Sequence, residues 1–334
     1  MSWYSNNVPS GGITLSTRIR LARNLKGIPF PSRMNARQRE DVNAAVKAAA
    51  ESSSAPVMRE LKFIKMSDVP ENERYAMVER HIISPEFAAN SGGRAVIISP
   101  DESICIMLGE EDHIRIQVVL PGLQPEKAYE IADLIDNALC EKLDIAFDKR
   151  LGFLTECPTN LGTGLRASVM MHLPMLSANG GLKTFADSAS KIGYTVRGMY
   201  GEGTKATACF YQISNQITLG LSEKSVIDNL KAIAKNLTEK EKELQKSIDK
   251  IDVEDTAMRA YALLKNARIM SSSEMMRLIS DLMLGINTGA VKTDAVPLKL
   301  FIEGQPYGLT VKYGTLSAKE RDIKRAEMLR EALN

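Results

Sequence analysis

Residues 94–120 read RAVIISPDESICIMLGEEDHIRIQVVL, and they contain three short segments rich in β-branched residues. The segments are residues 94–99, 104–108 and 114–120, and polar turns separate them. Such runs, bounded by Gly, Pro, Asp and Ser, are typical of β-strands. A connection of a few residues suits an antiparallel hairpin, because a parallel crossover takes on the order of a dozen residues. The stretch therefore predicts an antiparallel sheet.

The residues around this stretch extend the same pattern. Residues 125–143 have the apolar spacing of an amphipathic helix, and residues 35–51 are predicted as another helix. Further strands are predicted at residues 167–173, 194–199 and 208–213. We therefore expect an α+β fold with a mostly antiparallel sheet flanked by helices.

The sequence after residue 220 has a different character, because its remaining segments have helical patterns. It predicts a C-terminal all-helical domain. With a boundary near residue 245, the two domains are residues 14–245 and residues 246–334. The candidate N-caps and helix stops in this part are, in order, Ser222 and Ser273, then Gly285 and Gly289.

The charge of the chain is nearly balanced, with 43 Lys and Arg residues, 41 Asp and Glu residues and a formal net charge of +2. This balance implies no general attraction to nucleic acid or to an anionic membrane. The three histidines are too few to favour a histidine-based metal site, and the four cysteines include no CxxC pair. We therefore expect no metal site built from protein ligands and no disulfide framework. The sequence shows no signal-peptide pattern and no long apolar run, and we expect a cytoplasmic protein without a membrane partner.

Five arginines form the first group of candidate binding residues. Arg18 and Arg20 lie two apart, so their side chains share one face of an extended segment. Arg115 follows an acidic turn, and Arg166 and Arg197 lie in glycine-rich stretches. Each arginine alone is most simply a solvated surface residue, whereas together they suit phosphate, whose oxygens match the planar guanidinium. The sequence contains no P-loop and no protein-kinase motif set, so a phosphoryl-transfer enzyme would have to hold phosphates with side chains.

Carboxylates and one cysteine form the second group. The turn GEEDH at residues 109–113 contains Glu111 among three consecutive acidic residues, and Glu202 lies between two glycines. Each place is either a polar surface turn or a carboxylate at the edge of a cleft. Cys157 precedes a proline in CPTNLGTG, where it is either a small buried residue or a thiol that faces a site.

Four motifs, STRIR (16–20), GEEDHIRIQ (109–117), CPTNLGTGLRASV (157–169) and RGMYGEG (197–203), follow one another along the chain. Motifs of this kind in this order resemble the ATP:guanido phosphotransferase family, which includes the arginine and creatine kinases. The resemblance covers about residues 14–245, and its most specific part is CPTNLGTG. Gly109 is a departure, because the family usually has asparagine before the acidic pair.

A finer resemblance is to the bacterial protein arginine kinases (McsB-like). It rests on the phrases LARNL (21–25), MMHLP (170–174) and ISNQITLG (213–220). The small-molecule kinases carry an N-terminal helical domain before STRIR, whereas only 13 residues precede Thr14 here. RDIKRA (321–326) resembles an RDxxRA motif that forms an allosteric phosphoarginine pocket in that branch; by composition alone it is a charged helix face.

The resemblance implies sites for two ligands. It implies that Glu111 is the catalytic base, that Glu202 is its partner on a closing loop, and that Cys157 assists by positioning the guanidinium. ATP with Mg²⁺ would be held by Ser16, Thr17, Arg18, Ile19, Arg20, His81, Arg115, Arg166, Ala167, Ser168, Val169, Met170, Arg197, Gly198, Met199, Tyr200, Gly201 and Glu202. Phosphoarginine would be held by Arg321, Asp322, Ile323, Lys324, Arg325 and Ala326.

The implied activity is transfer of the ATP γ-phosphoryl group to arginine side chains of proteins. The resemblance further implies protein substrates with exposed arginine, a zinc-finger activator protein, a Clp chaperone and protease system, a role in stress response and a homodimer. Two other interpretations stay open, namely a small-molecule phosphagen kinase and a non-catalytic phosphoarginine-reading adaptor.

Overall fold

The protein is described by a computed structural model that covers residues 2–5, 12–198 and 207–334. Its main feature is an eight-stranded sheet with the order β2-β3-β4-β5-β1-β8-β10-β9. Neighbouring strands of the sheet are antiparallel, as the sequence predicts. The strands are β1 (Thr14–Arg23), β2 (Lys62–Lys65), β3 (Ala95–Ile98), β4 (Ile104–Leu108), β5 (Ile114–Pro121), β6 (Phe147–Asp148), β7 (Gly152–Phe153), β8 (Leu165–His172), β9 (Tyr194–Gly198) and β10 (Phe210–Asn215).

Helices surround the sheet and form the C-terminal part of the chain, which confirms the predicted fold class. None of the described helices combines the length and apolar character needed to span a membrane. The helices are α1 (Ala36–Glu51), α2 (Glu71–Glu79), α3 (Pro85–Ala89), α4 (Pro125–Cys140), α5 (Pro174–Ala178), α6 (Gly181–Lys191), α7 (Glu223–Ser247), α8 (Lys250–Asn266), α9 (Ser272–Thr288), α10 (Pro297–Glu303), α11 (Pro306–Tyr313) and α12 (Ala318–Leu333).

The two faces of the sheet are covered differently. Helices α1, α4 and α7 pack on one face, where Ile19, Ile116 and Val169 belong to the main apolar core. On the other face, α2 and α3 pack against β3 and β4, and α8–α12 pack near Met170 and Phe210. The part of this second face between the two groups of helices carries arginine side chains, and we call it the arginine face.

Several predicted element ends differ from the observed ones. The predicted strand at residues 208–213 begins at Phe210, because Ala208 and Cys209 have φ angles of 60° and 53°, a left-handed conformation that ends a strand. Ser222 caps α7 as predicted, but Ser271 and not Ser273 caps α9: its side chain accepts the N–H of Glu274.

Glycines account for a further correction in α9. Gly289 ends the helix in a left-handed conformation with φ 83°. Gly285 does not end it, because this glycine is buried inside α9. A Cβ atom at Gly285 would lie 2.4 Å from the Cβ of Ala257, so the glycine allows α8 and α9 to approach closely.

The division between the two predicted domains falls in one helix. Residue 245 lies in the last turn of α7, which ends at Ser247, and α8 begins at Lys250. Helix α7 packs with α5 and β8, whereas α8 packs mainly with α9 and α12. The ranges 14–245 and 246–334 stay a prediction.

Candidate active site

The predicted arginines meet at one cavity. β1 carries Arg18 and Arg20 on the arginine face, and Arg166 of β8 lies directly opposite Arg20. Together with Arg115 and Arg197 they line a cavity of about 320 Å³, which we call the arginine cavity. Like charges directly opposite each other destabilise a sheet. The arrangement therefore favours binding of a polyanion.

The guanidinium groups of the arginine cavity are held at an electrostatic cost. Burial, together with the charges of Arg166 and Arg115, lowers the pKa of Arg18 to about 10. Burial and neighbouring arginines also lower the pKa of Arg20 and the pKa of Arg166. The Nε atoms of Arg20 and Arg166 are buried and have no hydrogen-bond partner among the described residues. Phosphate oxygens would accept from both donors and offset the repulsion.

His81 reaches the arginine cavity from the end of α2. Its φ angle is 61°, an uncommon conformation for a residue with a side chain. Gln117 of β5 donates hydrogen bonds of 2.9 Å to the carbonyl oxygens of His81 and Ile82 and so holds this turn. Burial, with a smaller effect of Arg18, lowers the pKa of His81 to about 4, which leaves the ring neutral at pH 7. Its Nε2 atom is buried without a partner in the described part of the chain.

Alternation along the strands separates the other predicted ATP-binding residues into two sets. Ser16, Ser168 and Met170 line a small depression beside Arg18 and His81. The alternate residues point to the opposite side, because successive side chains of a strand lie on opposite faces. Thr17 donates to the carbonyl of Gly122, and the apolar core contains Ile19, Ala167 and Val169.

The acidic turn after β4 anchors Arg115 through two carboxylates. Oε2 of Glu110 lies 2.7 Å from the Arg115 guanidinium, and Oε2 of Glu111 lies 2.9 Å from it. The Glu110 side chain is only 8% exposed and also accepts from the Ser84 hydroxyl. The Glu111 side chain is 39% exposed and accepts from Asn160 at 3.3 Å. Glu110 is therefore a fixed partner of Arg115, whereas Glu111 is open to a ligand.

The rest of the turn has structural contacts. Asp112 is fully buried and accepts from the Asn24 side chain at 2.6 Å and from the Glu156 backbone N–H at 2.8 Å. Nδ1 of His113 accepts from the Leu25 N–H, so its Nε2 carries the proton and donates to the carbonyl of Pro29. These bonds tie the acidic turn to β1 and to the segment that carries Cys157.

A second cavity, of about 360 Å³, adjoins this turn, and we call it the acidic cavity. Its charged lining residues are three glutamates and two arginines, namely Glu110, Glu111, Glu156, Arg39 and Arg94. Glu111 and Cys157 both line it, and their predicted roles toward a guanidinium stay predictions. The Sγ atom of Cys157 lies 3.0 Å from the Thr159 hydroxyl. Arg115 lines the arginine cavity and contacts Glu111 of the acidic cavity, so the two cavities are neighbours.

Some of the predicted residues lie outside the described part of the chain. They are Met199, Tyr200, Gly201 and Glu202. Glu202 is the predicted second carboxylate. Gly198, the last described residue of β9, lines the arginine cavity.

Sequence reasoning missed four side chains that support the two cavities. Glu110 fixes Arg115, Gln117 fixes His81, and Gln212 accepts a hydrogen bond of 3.0 Å from Arg18. Glu156 lines the acidic cavity beside Cys157. Strand alternation was a usable signal for Gln117, because it lies two residues after Arg115 and therefore shares its face.

The RDIKRA motif lies on α12 and divides between the interior and the surface. Arg325 is 1% exposed and donates to the carbonyls of Gly304 and Met270 and to the carboxylate of Asp322. Ala326 belongs to the core formed by the C-terminal helices. The motif members with partly exposed side chains are Arg321, Asp322, Ile323 and Lys324.

Comparison with known families identifies the catalytic part. Residues 41–244 match the family described as "ATP:guanido phosphotransferase, C-terminal catalytic domain". The chain belongs to the ATP:guanido phosphotransferase family. Residues 250–334 match the "Protein-arginine kinase McsB C-terminal domain".

Relatives of this ATP:guanido phosphotransferase resemble it over nearly the full length. A protein named "Protein-arginine kinase" from Halothermothrix orenii is 43% identical, with 99% of this chain and 96% of the relative covered. One of the same name from Desulforamulus reducens is 42% identical, with 99% and 95% covered.

Solved structures of guanidino kinases share the fold. A lombricine kinase has a TM-score of 0.63 at 25% identity, covering 74% of this chain and 71% of its own. A duplicated taurocyamine kinase from Schistosoma mansoni, solved with transition-state analogue components, has a TM-score of 0.62 at 26% identity. That match covers 79% of this chain and 38% of the longer, duplicated one.

Proposed function

We propose that this phosphotransferase moves the γ-phosphoryl group of ATP to the guanidinium of arginine side chains in proteins. The observation that carries the proposal is the contact between the two cavities. Arginines suited to phosphate, most of them half-buried, line one cavity, Glu111 and Cys157 line the other, and Arg115 touches Glu111 at 2.9 Å. Donor and acceptor can therefore meet at this contact.

ATP fits the arginine cavity by charge and by hydrogen-bonding capacity. The buried Nε atoms of Arg20 and Arg166 need acceptors, and phosphate oxygens supply them. No group of three or more His, Cys, Asp and Glu among the described residues could hold a metal ion. Mg²⁺ would accordingly bind through the phosphates and water, as it commonly does with nucleotides, and would neutralise part of their charge.

The acceptor is difficult to activate because arginine is a very weak acid. Its pKa of about 12.5–13.8 leaves roughly one side chain in a million neutral at pH 7. A protonated guanidinium has no lone pair for attack. Glu111 is placed to orient the acceptor in the acidic cavity and to accept its proton as attack proceeds.

The transfer step forms one bond to phosphorus, breaks another and moves one proton. The acceptor nitrogen forms a bond to the γ-phosphorus, the bond from this phosphorus to the bridging oxygen breaks, and its electron pair leaves with ADP. The acceptor proton goes to Glu111. Arg20, Arg115 and Arg166 stabilise charge on the transferring group, since phosphoryl transfer depends mainly on alignment and electrostatics. Cys157 and Glu202 would assist in holding the guanidinium.

The protein nature of the acceptor is supported by the whole chain. Both the catalytic part and residues 250–334 resemble proteins named for protein-arginine kinase activity. The homodimer, the zinc-finger activator, the Clp system and phosphoarginine binding by residues 321–326 stay predictions from the family resemblance. The cytoplasmic location stays a prediction from the sequence pattern.

Measurement of ADP release with several acceptors tests the proposal. With Mg-ATP, an arginine-rich protein should support turnover, and a version with lysine in place of arginine should not. Glu111→Gln should lower the rate by about 10²–10⁴-fold, the usual contribution of a general base. Glu130→Gln is the control, because Glu130 is exposed on α4, behind the other face of the sheet.

Two outcomes would contradict the proposal. Turnover with free arginine or creatine, and none with the protein, would show a small-molecule kinase. Binding of phosphoarginine without turnover of any acceptor would show a reading adaptor.

A further inference from the structure

Helix α2 connects the C-terminal helices to the arginine cavity. Its last residue, Glu79, accepts the backbone N–H of Tyr307 at 3.0 Å and that of Gly308 at 2.8 Å. Both N–H groups belong to the first turn of α11, where a helix lacks internal acceptors. The Tyr75 and Tyr307 rings stack with centroids 4.9 Å apart and add a second contact between α2 and α11.

Two influences act in opposite directions on the pKa of the Glu79 carboxylate. Burial raises its pKa to about 7, although the two N–H donors favour the ionised form. Arg80 on the same segment and Arg325 on α12 are the cations that act on it. The carboxylate is therefore partly buried against the start of α11, where its two oxygens satisfy two backbone donors.

The residues directly after Glu79 lead into the arginine cavity. Arg80 is fixed by Glu73 and Glu102, and its carbonyl accepts the indole N–H of Trp3. His81 follows in its left-handed conformation and lines the arginine cavity. Because these contacts hold Arg80 and Gln117 holds the carbonyl of His81, a shift of Glu79 would move the backbone that carries the His81 ring.

We propose that Glu79 is a positioning residue that ties α11 to His81, so that the seating of α11 sets the affinity of the arginine cavity for nucleotide. The inference rests on the proposed binding of ATP at this cavity. The coupling would pass through contiguous contacts. They are the two hydrogen bonds from α11 to Glu79, the end of α2, and the turn at His81 that Gln117 holds.

Nucleotide binding and hydrogen exchange test the proposal in the full-length chain. Glu79→Gln keeps the size of the side chain but presents an amide donor to one of the two N–H groups. We expect the dissociation constant for Mg-ADP, measured by calorimetry, to rise about fivefold or more, which is typical of an allosteric coupling. The KM for ATP should rise in parallel, kcat should change less than twofold, and amides 80–83 should exchange faster.

Controls separate this role from a merely structural one. Glu71→Gln alters an exposed carboxylate of the same helix and should bind ADP like the wild type. Tyr307→Ala should weaken binding, and its combination with Glu79→Gln should be less than additive because both act on one contact.

Three results would overturn the inference. They are unchanged affinity in a folded Glu79→Gln protein, a loss in kcat alone, and strictly additive effects with Tyr307→Ala. If Glu79→Gln does not fold, Glu79→Asp replaces it under the same criteria. Because the calorimetry needs no acceptor, a failure of arginine phosphorylation in the wild type would refute the proposed function separately.

Discussion

Replacement of Arg18 by methionine should stabilise the nucleotide-free protein and at the same time weaken nucleotide binding. Burial and the neighbouring arginines lower the pKa of Arg18 from 12.5 to about 10. The native state therefore holds the Arg18 proton less tightly than the unfolded state does. Below pH 10 both states keep this proton, so the whole electrostatic penalty is present at neutral pH.

The size of the effect follows from the same pKa values. At about 1.4 kcal/mol for each pKa unit, the penalty is ~3 kcal/mol. The change also removes the hydrogen bond of 3.0 Å from Arg18 to Gln212, which contributes about 1 kcal/mol. We expect the free energy of unfolding to rise by ~2 kcal/mol in the absence of nucleotide.

Urea unfolding with and without Mg-ADP measures both consequences. For the wild type, ADP at 100 times its dissociation constant should add about 2.7 kcal/mol, whereas Arg18→Met should gain much less. Arg59→Met is a matched control, because Arg59 is exposed and lies outside both cavities. A nucleotide-free Arg18→Met protein that is less stable than the wild type, or one that ADP stabilises fully, would refute the reasoning.

Three further substitutions test other contacts by urea unfolding. Burial raises the pKa of Glu79 from 4.5 to about 7, so between these pH values only the native state keeps the proton and wild-type stability falls as the pH rises. Glu79→Gln should therefore gain up to ~3 kcal/mol on the wild type between pH 4.5 and pH 8, and a constant difference would contradict this. Arg23→Leu leaves Asp136 as an unpaired buried charge after loss of a 2.7 Å ion pair and should cost about 3–5 kcal/mol; a further Asp136→Asn change should restore part, and no restoration would count against the ion pair. Gly285→Ala should cost about 1–3 kcal/mol by overpacking against Ala257, 2.4 Å from the new Cβ, and Ala257→Gly should relieve it if the contact is the cause.

The local elements were predictable because their signals are short-range. Residues 94–120 contain three apolar segments separated by two polar turns, and each segment forms a strand. The cap of α9 was missed although its signal was present. Three serines occur in a row at residues 271–273, and Glu274 lies three positions after Ser271, which is the capping-box spacing.

The long-range features had no such signal. β1 lies between β5 and β8, whose residues are about a hundred and about 150 positions away in the chain, as in the pairs of Ser16 with Pro121 and with Met170. Packing of the C-terminal helices beside the arginine face depends on contacts such as Phe210 with Phe301, whose ring centroids lie 4.8 Å apart. Neither pairing has a local pattern that would select it.

The candidate site was predictable only in part for the same reason. Family motifs pointed to the arginines and to Glu111, but motif membership does not distinguish side chains that face a cavity from those that face the core. Ile19 and Val169 belong to the motifs, but strand alternation places their side chains in the core. The ion pair of Glu110 with Arg115, and the link from Glu79 to α11, required the tertiary structure.

Mass spectrometry of the phosphorylated product is the most direct test of the central claim. An arginine-rich protein is incubated with Mg-ATP and either the wild type or Glu111→Gln, and the product is fragmented without exposure to acid, because a phosphorus–nitrogen bond is acid-labile. The account predicts phosphate on arginine side chains with the wild type and little or none with Glu111→Gln. Phosphate on serine, threonine, tyrosine or lysine, or equal arginine phosphorylation by both proteins, would contradict it.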